Sequence, residues 1–207
     1  NEAEHLEFYG KVKKAYKDVF DRVGLGHLTS LTFASGGTFS KFSHEFQTIT
    51  AAGEDLIYVN EEKSIAINKE VLNDEVLAEL SVSKDSLVEN KAVEVGNIFT
   101  LGTKFSEPLG LKFKNEDGVE QPVFMGSYGI GPSRVMGVLV EKFGDDKGLV
   151  WPKNVAPFNI EIVSLHKDAG DEVFKKSESI YKALNEKFEV LFDDRNISVG
   201  QKLADAD

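Results

Sequence analysis

The run Gly126-Ser127-Tyr128-Gly129-Ile130-Gly131-Pro132-Ser133-Arg134 constrains the fold more than any other stretch. Three glycines within six residues let the backbone approach a neighbour or a ligand closely. Val135, Val138, Leu139 and Phe143 follow at helical spacing, so the run predicts a strand, a glycine-rich bend and a helix. The amino end of that helix is electropositive. Arg134 falls in its first turns, where a guanidinium can face a phosphate or stack on an adenine. The order Gly-x-x-Gly-x-Gly differs from the dinucleotide-binding G-x-G-x-x-G, and the strands before it pattern as antiparallel. A Rossmann fold is therefore a poor fit. Tight packing of helix on sheet explains the glycines as well as a ligand does.

Upstream, residues 3–23 read as a helix with Tyr9, Val12, Tyr16, Val19, Phe20 and Val23 on one face, closed by Gly24 and Gly26. The chain begins without an evident cap or an initiator methionine and reads as a piece of something longer. Residues 28–50 alternate and predict antiparallel strands around Ser35-Gly36-Gly37. Ile57-Tyr58-Val59 is a short strand. Residues 69–91 read as a charged surface insertion with weak helical character. Glu94 to Ser106 is a strand entering a turn, and Asn115-Glu116-Asp117-Gly118 turns a hairpin. Trp151-Pro152 to Ala156-Pro157 is a linker. Beyond it come an apolar strand from Phe158, an amphipathic helix from Ala169 to Lys187 and a strand from Phe188. That is a β-α-β unit and marks a separate parallel α/β domain.

The net charge of −11 argues weakly against a nucleic-acid binder, since an acidic enzyme can still offer a local basic strip. Zero cysteines exclude disulfides and thiolate metal sites. The four histidines have no zinc spacing and join no Ser-His-Asp set. No apolar run approaches the ~18 residues of a membrane span. Two carboxylates stand out. Glu94 heads a strand beside the glycine-rich one, where a carboxylate near a triphosphate would bind Mg²⁺. Glu45, between His44 and Phe46, is placed to hold a substrate ammonium. For each, a solvated strand residue is the competing reading.

Several blocks occur in order: Ser43-His44-Glu45-Phe46-Gln47, Gly53-Glu54-Asp55, Glu94-Val95-Gly96-Asn97-Ile98-Phe99, Leu101 to Ser106, and Gly126 to Arg134. Gly148 to Pro152, Ala156-Pro157-Phe158 and Asp193-Asp194-Arg195 follow. As an ordered set they resemble prolyl-tRNA synthetases of the bacterial and organellar type, over nearly the whole chain except roughly residues 60–91.

The resemblance implies an α+β class II synthetase-type catalytic core over residues 1–152, an antiparallel sheet with flanking helices. A partial α/β anticodon-binding domain over 153–207 would follow. It makes Gly126 to Arg134 the family's motif 3. It assigns Arg134 and Glu94 to catalysis, Glu94, Asn97, Gly129, Gly131 and Arg134 to ATP, Glu94 to Mg²⁺, and Glu45, Phe99 and Ser127 to proline. Ser127 stands where bacterial members usually have cysteine, Asn97 where histidine is common, and Pro132 where a small aliphatic or serine is usual. The implied partners are proline, ATP and tRNA(Pro), in a cytoplasmic homodimer when full length. Motifs 1 and 2 would lie before Asn1, so the 207-residue chain alone is expected to be inactive. An inserted deacylase is not expected, because residues 56–93 are too few for a second catalytic domain. A synthetase-like regulatory paralogue is the competing function.

Overall fold

A computed structural model describes residues 1–168 and 170–206. The chain forms two compact units, Asn1–Lys142 and Phe143–Asp207. Their division falls ahead of the proline-flanked stretch that the sequence marks as a linker.

The first unit opens on α1 (Glu2–Arg22). Asn1 does cap it: its side chain accepts from the Glu4 N–H, and Glu4 reaches back to the Asn1 amine in a capping box. The buried stripe is His5, Tyr9, Tyr16 and Phe20, whereas Val19 of the expected apolar face is exposed. His5 and Tyr9 hydrogen-bond to the sheet, at Thr100 and at Ile98, and Tyr16 packs on Phe46.

Strands β1 (Thr29–Ser35) and β2 (Phe42–Ile49) form the expected hairpin, followed by β3 (Asp55–Asn60), β4 (Ile65–Asn68) and the long β5 (Val88–Gly102). Their order is β2-β1-β4-β3-β5, and β2 pairs with β5 as well, so these strands close on themselves. All the pairings are antiparallel except β1 with β4. Closure leaves an inner face, where Ile57, Val59, Ala66 and Ala92 cluster, and an outer face carrying the helices. Ring contacts of Tyr16 and Phe20 with Phe46 and of Tyr9 with His44 seat α1 on the outer face.

The stretch expected to be a surface insertion is part of the core. Helix α2 (Asp74–Glu79) buries Val76 and Leu77 against Ile67 of β4, with Val71, Leu72 and Leu80 around them. Its charge sits on the outer side of the same short amphipathic segment. Residues 56–93 are fully used by these elements.

The hairpin of β6 (Lys112–Lys114) and β7 (Glu120–Pro122) leads to β8 (Met125–Ile130), which adds antiparallel to β5. Helix α3 (Pro132–Phe143) follows, with proline at its first position, where no N–H is needed, and with Val135, Val138 and Leu139 buried. Gly126 faces α1: a Cβ there would lie 2.6 Å from His5 Cε1 and 2.4 Å from the Tyr128 hydroxyl. Helix-on-sheet packing thus accounts for this first glycine of the run.

In the second unit, β9 (Ile160–Val163) and β10 (Val190–Asp193) pair in parallel through α4 (Glu172–Leu184), and α5 (Val199–Ala206) follows. The β-α-β reading therefore holds, although the expected start of its helix, Ala169, lies outside the described residues. Lys202 of α5 is buried and donates to the Ser164 and Asp193 carbonyls at the ends of the two strands. Arg195 clasps Asp193 and reaches Asp205 at 2.8 Å, and its guanidinium holds the Asp193 carboxyl down to about 2.

On the outer face Tyr9 Oη lies 2.8 Å from His44 Nδ1 and 3.0 Å from the Ile98 carbonyl. The carbonyl can only accept, so Tyr9 donates to it and His44 donates its Nδ1–H to Tyr9. Burial pushes Tyr9 up to about 12 and His44 down to about 4, with Lys13 adding to the latter. The unfolded histidine protonates near 6.5, so between those values the unfolded chain binds more protons and stability falls as pH is lowered. Urea midpoints should drop from pH 6.5 to 4.5, and His44→Gln should drop less over the same interval. A second expectation concerns Gly53, where a Cβ would lie 2.4–2.6 Å from the Ala92 backbone. Gly53→Ala should cost about 1–3 kcal/mol in urea unfolding, because backbone cannot yield as a side chain can.

Candidate active site

The candidate residues meet where β2, β5 and β8 run side by side. Glu45 of β2 is opposite Asn97 of β5, which is opposite Gly129 of β8. Phe99 and Ser127 form the pair two residues along the same face. Glu94 and Asn97 are three apart, and in a regular strand they would point to opposite faces. The β2–β5 register shifts here: Phe46 pairs with Gly96 but Gln47 with Glu94, leaving Val95 as the extra residue of a bulge. The bulge turns both side chains to the inner face, and Asn97 Nδ2 donates to Glu94 Oε1 at 2.7 Å.

Arg134 closes the group from α3. Its Nη1 donates to Glu94 Oε2 at 3.0 Å and to the Glu94 carbonyl at 3.1 Å. The Gly131 N–H donates to the Val95 carbonyl at 2.9 Å, tying the bend and the start of α3 to the bulge. Glu94, Asn97, Gly129, Gly131 and Arg134 line one open cleft of about 230 Å³. A Cβ on Gly129 or Gly131 would have no neighbour nearer than 3.4 Å, so packing does not require these two glycines, unlike Gly126. Bare backbone at the cleft floor leaves room for a flat or phosphorylated ligand.

The three residues expected to hold the amino acid lie outside this lining. Glu45 is half-buried beside it, Phe99 is half-buried and Ser127 is exposed. Burial raises the Glu45 carboxyl above the usual range, and bonds from Gln47 and Asn68 partly offset this. Negative neighbours Glu94 and Glu70 push it further up. Gln47 and Asp55 stand in the blocks that carry the resemblance, which gives them no role of their own, and the sequence does not single out Asn68, although Gln47 lies two positions beyond Glu45 on a strand, which places it on the same face. Among the described residues no group of three or more histidine or acidic side chains could by itself hold a metal. A larger cavity of about 770 Å³ lies beside α1, lined by Lys13, Lys17, Phe20, Phe46 and Ile65 among others. It contains none of the carboxylate–arginine pairing, so volume does not locate the chemistry.

Residues 2–143 match the family model of the tRNA synthetase class II core domain for Gly, His, Pro, Ser and Thr. The chain belongs to the class II tRNA synthetase core family. A proline–tRNA ligase of Wolbachia sp. subsp. Drosophila simulans is 35% identical over 213 residues, covering 98% of this chain and 49% of that protein. A proline–tRNA ligase of Persephonella marina is 50% identical over 128 residues, 61% of this chain and 22% of that protein. The chain thus spans about half the length of the curated relatives that match it throughout. Among solved structures, prolyl-tRNA synthetase from Cryptosporidium parvum in complex with L-proline and AMP superposes with a TM-score of 0.66 at 21% identity, over 99% of this chain and 36% of that one. This likeness establishes the class II core fold, an antiparallel-rich sheet flanked by helices.

In this class II core the Glu94–Arg134 pair is partly exposed, Arg134 by about half and Glu94 by about a quarter. An exposed pair contributes little to stability. Arg134→Ala and Gly129→Ala should each leave the unfolding free energy within about 1 kcal/mol of the parent, read from urea denaturation.

Proposed function

We propose that the chain is part of a proline–tRNA ligase. It would contribute to ATP-dependent activation of proline and to transfer of the prolyl group to tRNA(Pro). The observation that carries the reading is the cleft where the Arg134–Glu94–Asn97 network meets a floor of unhindered glycines. The names of the relatives that match almost the whole chain supply the amino acid.

In the first step a proline carboxylate oxygen attacks the α-phosphorus of ATP, and the bond to the β-phosphate oxygen breaks to release pyrophosphate. In the second, a terminal ribose hydroxyl of tRNA(Pro) attacks the prolyl carbonyl and AMP leaves. The residues of this chain act by positioning and by charge. Arg134, released from Glu94, faces the nucleotide, where its fixed positive charge offsets charge developing on phosphate oxygens. Asn97 keeps Glu94 oriented while Arg134 is engaged. Gly129 and Gly131 admit the nucleotide against the backbone. Glu45 takes the proline ammonium, with Phe99 and Ser127 forming the wall beside it.

Glu94 would hold Mg²⁺, which commonly binds proteins through one or two carboxylates and takes its other ligands from phosphates and water. A single carboxylate at the cleft edge suits that mode. When bound, the ion would neutralise phosphate charge. The same reading assigns residues from about 153 to an α/β anticodon-binding domain, and a homodimer in the cytoplasm to the full-length protein. No described helix is long and apolar enough to cross a membrane.

Proline-dependent ATP–pyrophosphate exchange by the full-length protein tests this. Arg134→Ala should lower the rate at least ~10²-fold, the scale for losing one preorganised charge. An unchanged rate would assign Arg134 to packing and remove the basis of the reading.

A further inference from the structure

Gln47 is fully buried, yet its amide makes no contact that apolar packing would need. Nε2 donates to Glu45 Oε2 at 2.9 Å and to Asp55 Oδ2 at 2.8 Å. The opposite amide orientation would set Oε1 against two carboxylates, so the assignment is fixed by charge. Oε1 is then a buried acceptor without a partner among the described residues. An amide kept in a sheet interior with one end unpaired is poor design for stability alone.

From β4, Asn68 Nδ2 donates to the same Glu45 Oε2 at 3.0 Å. Its Oδ1 accepts from the Glu70 N–H at 3.2 Å, which fixes that amide as well. Two donors from two strands therefore converge on one oxygen of Glu45, and the other, Oε1, has no hydrogen-bond donor among the described residues. Glu45 makes no salt bridge among the described residues. The charged groups around it are Glu94 on β5, Glu70 after β4 and, beyond Gln47, Asp55 on β3; Arg134 is paired with Glu94.

We propose that Gln47 and Asn68 are positioning residues: they anchor Glu45 by Oε2 and present Oε1 to the secondary ammonium of the amino-acid substrate. This rests on Glu45 acting as the ammonium acceptor in the function proposed above. Hydrogen bonds that the ionised carboxylate receives also keep it ionised against burial and its acidic neighbours. Asp55 completes the device by accepting a hydrogen bond from the second N–H of the Gln47 amide, which stops it from turning.

The test is the KM for proline and kcat in ATP–pyrophosphate exchange by the full-length protein from pH 6 to 8.5. Gln47→Met keeps the volume and removes both donors. Asn68→Ala alters a half-buried residue and serves if the buried substitution prevents folding. Each should raise KM about tenfold, more at the acid end of the range than at the alkaline end, with kcat within about twofold. No rise in KM, or a fall in kcat as large as the rise in KM, overturns the positioning role. Glu45→Gln separates the two layers. If it raises KM at all pH values while the other two variants do nothing, the ammonium reading stands and the positioning role falls. An unchanged KM in Glu45→Gln removes both.

Discussion

The pairing of β2 with β5 is the constraint on which the rest of the first unit depends. It closes the strands into a ring and so creates an inner face distinct from the outer one. The outer face then has one task, to receive α1 and α2 through aromatic and aliphatic contacts. The inner face carries both the apolar cluster around Ile57 and, beside it, the polar group of Glu45, Gln47 and Asn68. A half-buried carboxylate there is matched by donors, and Gln47 and Asn68 are those donors. One hydrogen-bonded seam thus decides where hydrophobic burial ends and where polar chemistry can start.

Within that seam the bulge at Val95 connects backbone to site. It brings Glu94 and Asn97 onto one face, and the Val95 carbonyl receives the N–H of Gly131. The bend into α3 and the carboxylate that Arg134 grips are therefore set by the same residue. The three glycines of the run divide accordingly: Gly126 yields to α1, while Gly129 and Gly131 face open space.

Much of this was legible in the sequence. The strand, bend and helix around Gly126 to Arg134 follow from glycine spacing and helical periodicity, and the first hairpin from alternation. That the Glu94 strand lies beside the glycine-rich one follows from the pattern and its role from the resemblance, but the parity of positions 94 and 97 predicts opposite faces for Glu94 and Asn97. A bulge has no local signature in a run such as Glu94-Val95-Gly96-Asn97; it is set by a partner strand some fifty residues away. The burial of α2 was missed because its charged residues equal its apolar ones in number, although Val76 and Leu77 suffice to dock so short a helix. The Asn1 cap was missed although asparagine three before glutamate is a capping signal. Ring closure, and with it the Gln47–Asn68 arrangement, is a long-range property that no window of sequence contains.

The bulge also has a bearing on how such a chain can change over generations. Between Ala92 and Phe99 the face each side chain meets depends on counting residues, and one extra residue has already been spent. Deleting or adding a single position there would turn Glu94 or Asn97 outward without altering the composition. A substitution along this segment alters one side chain, whereas a change of length turns every side chain beyond it. Evolutionary variation in the length of the chain is thus channelled away from β5, toward exposed turns such as Asn115 to Gly118, where register has no consequence for the cleft.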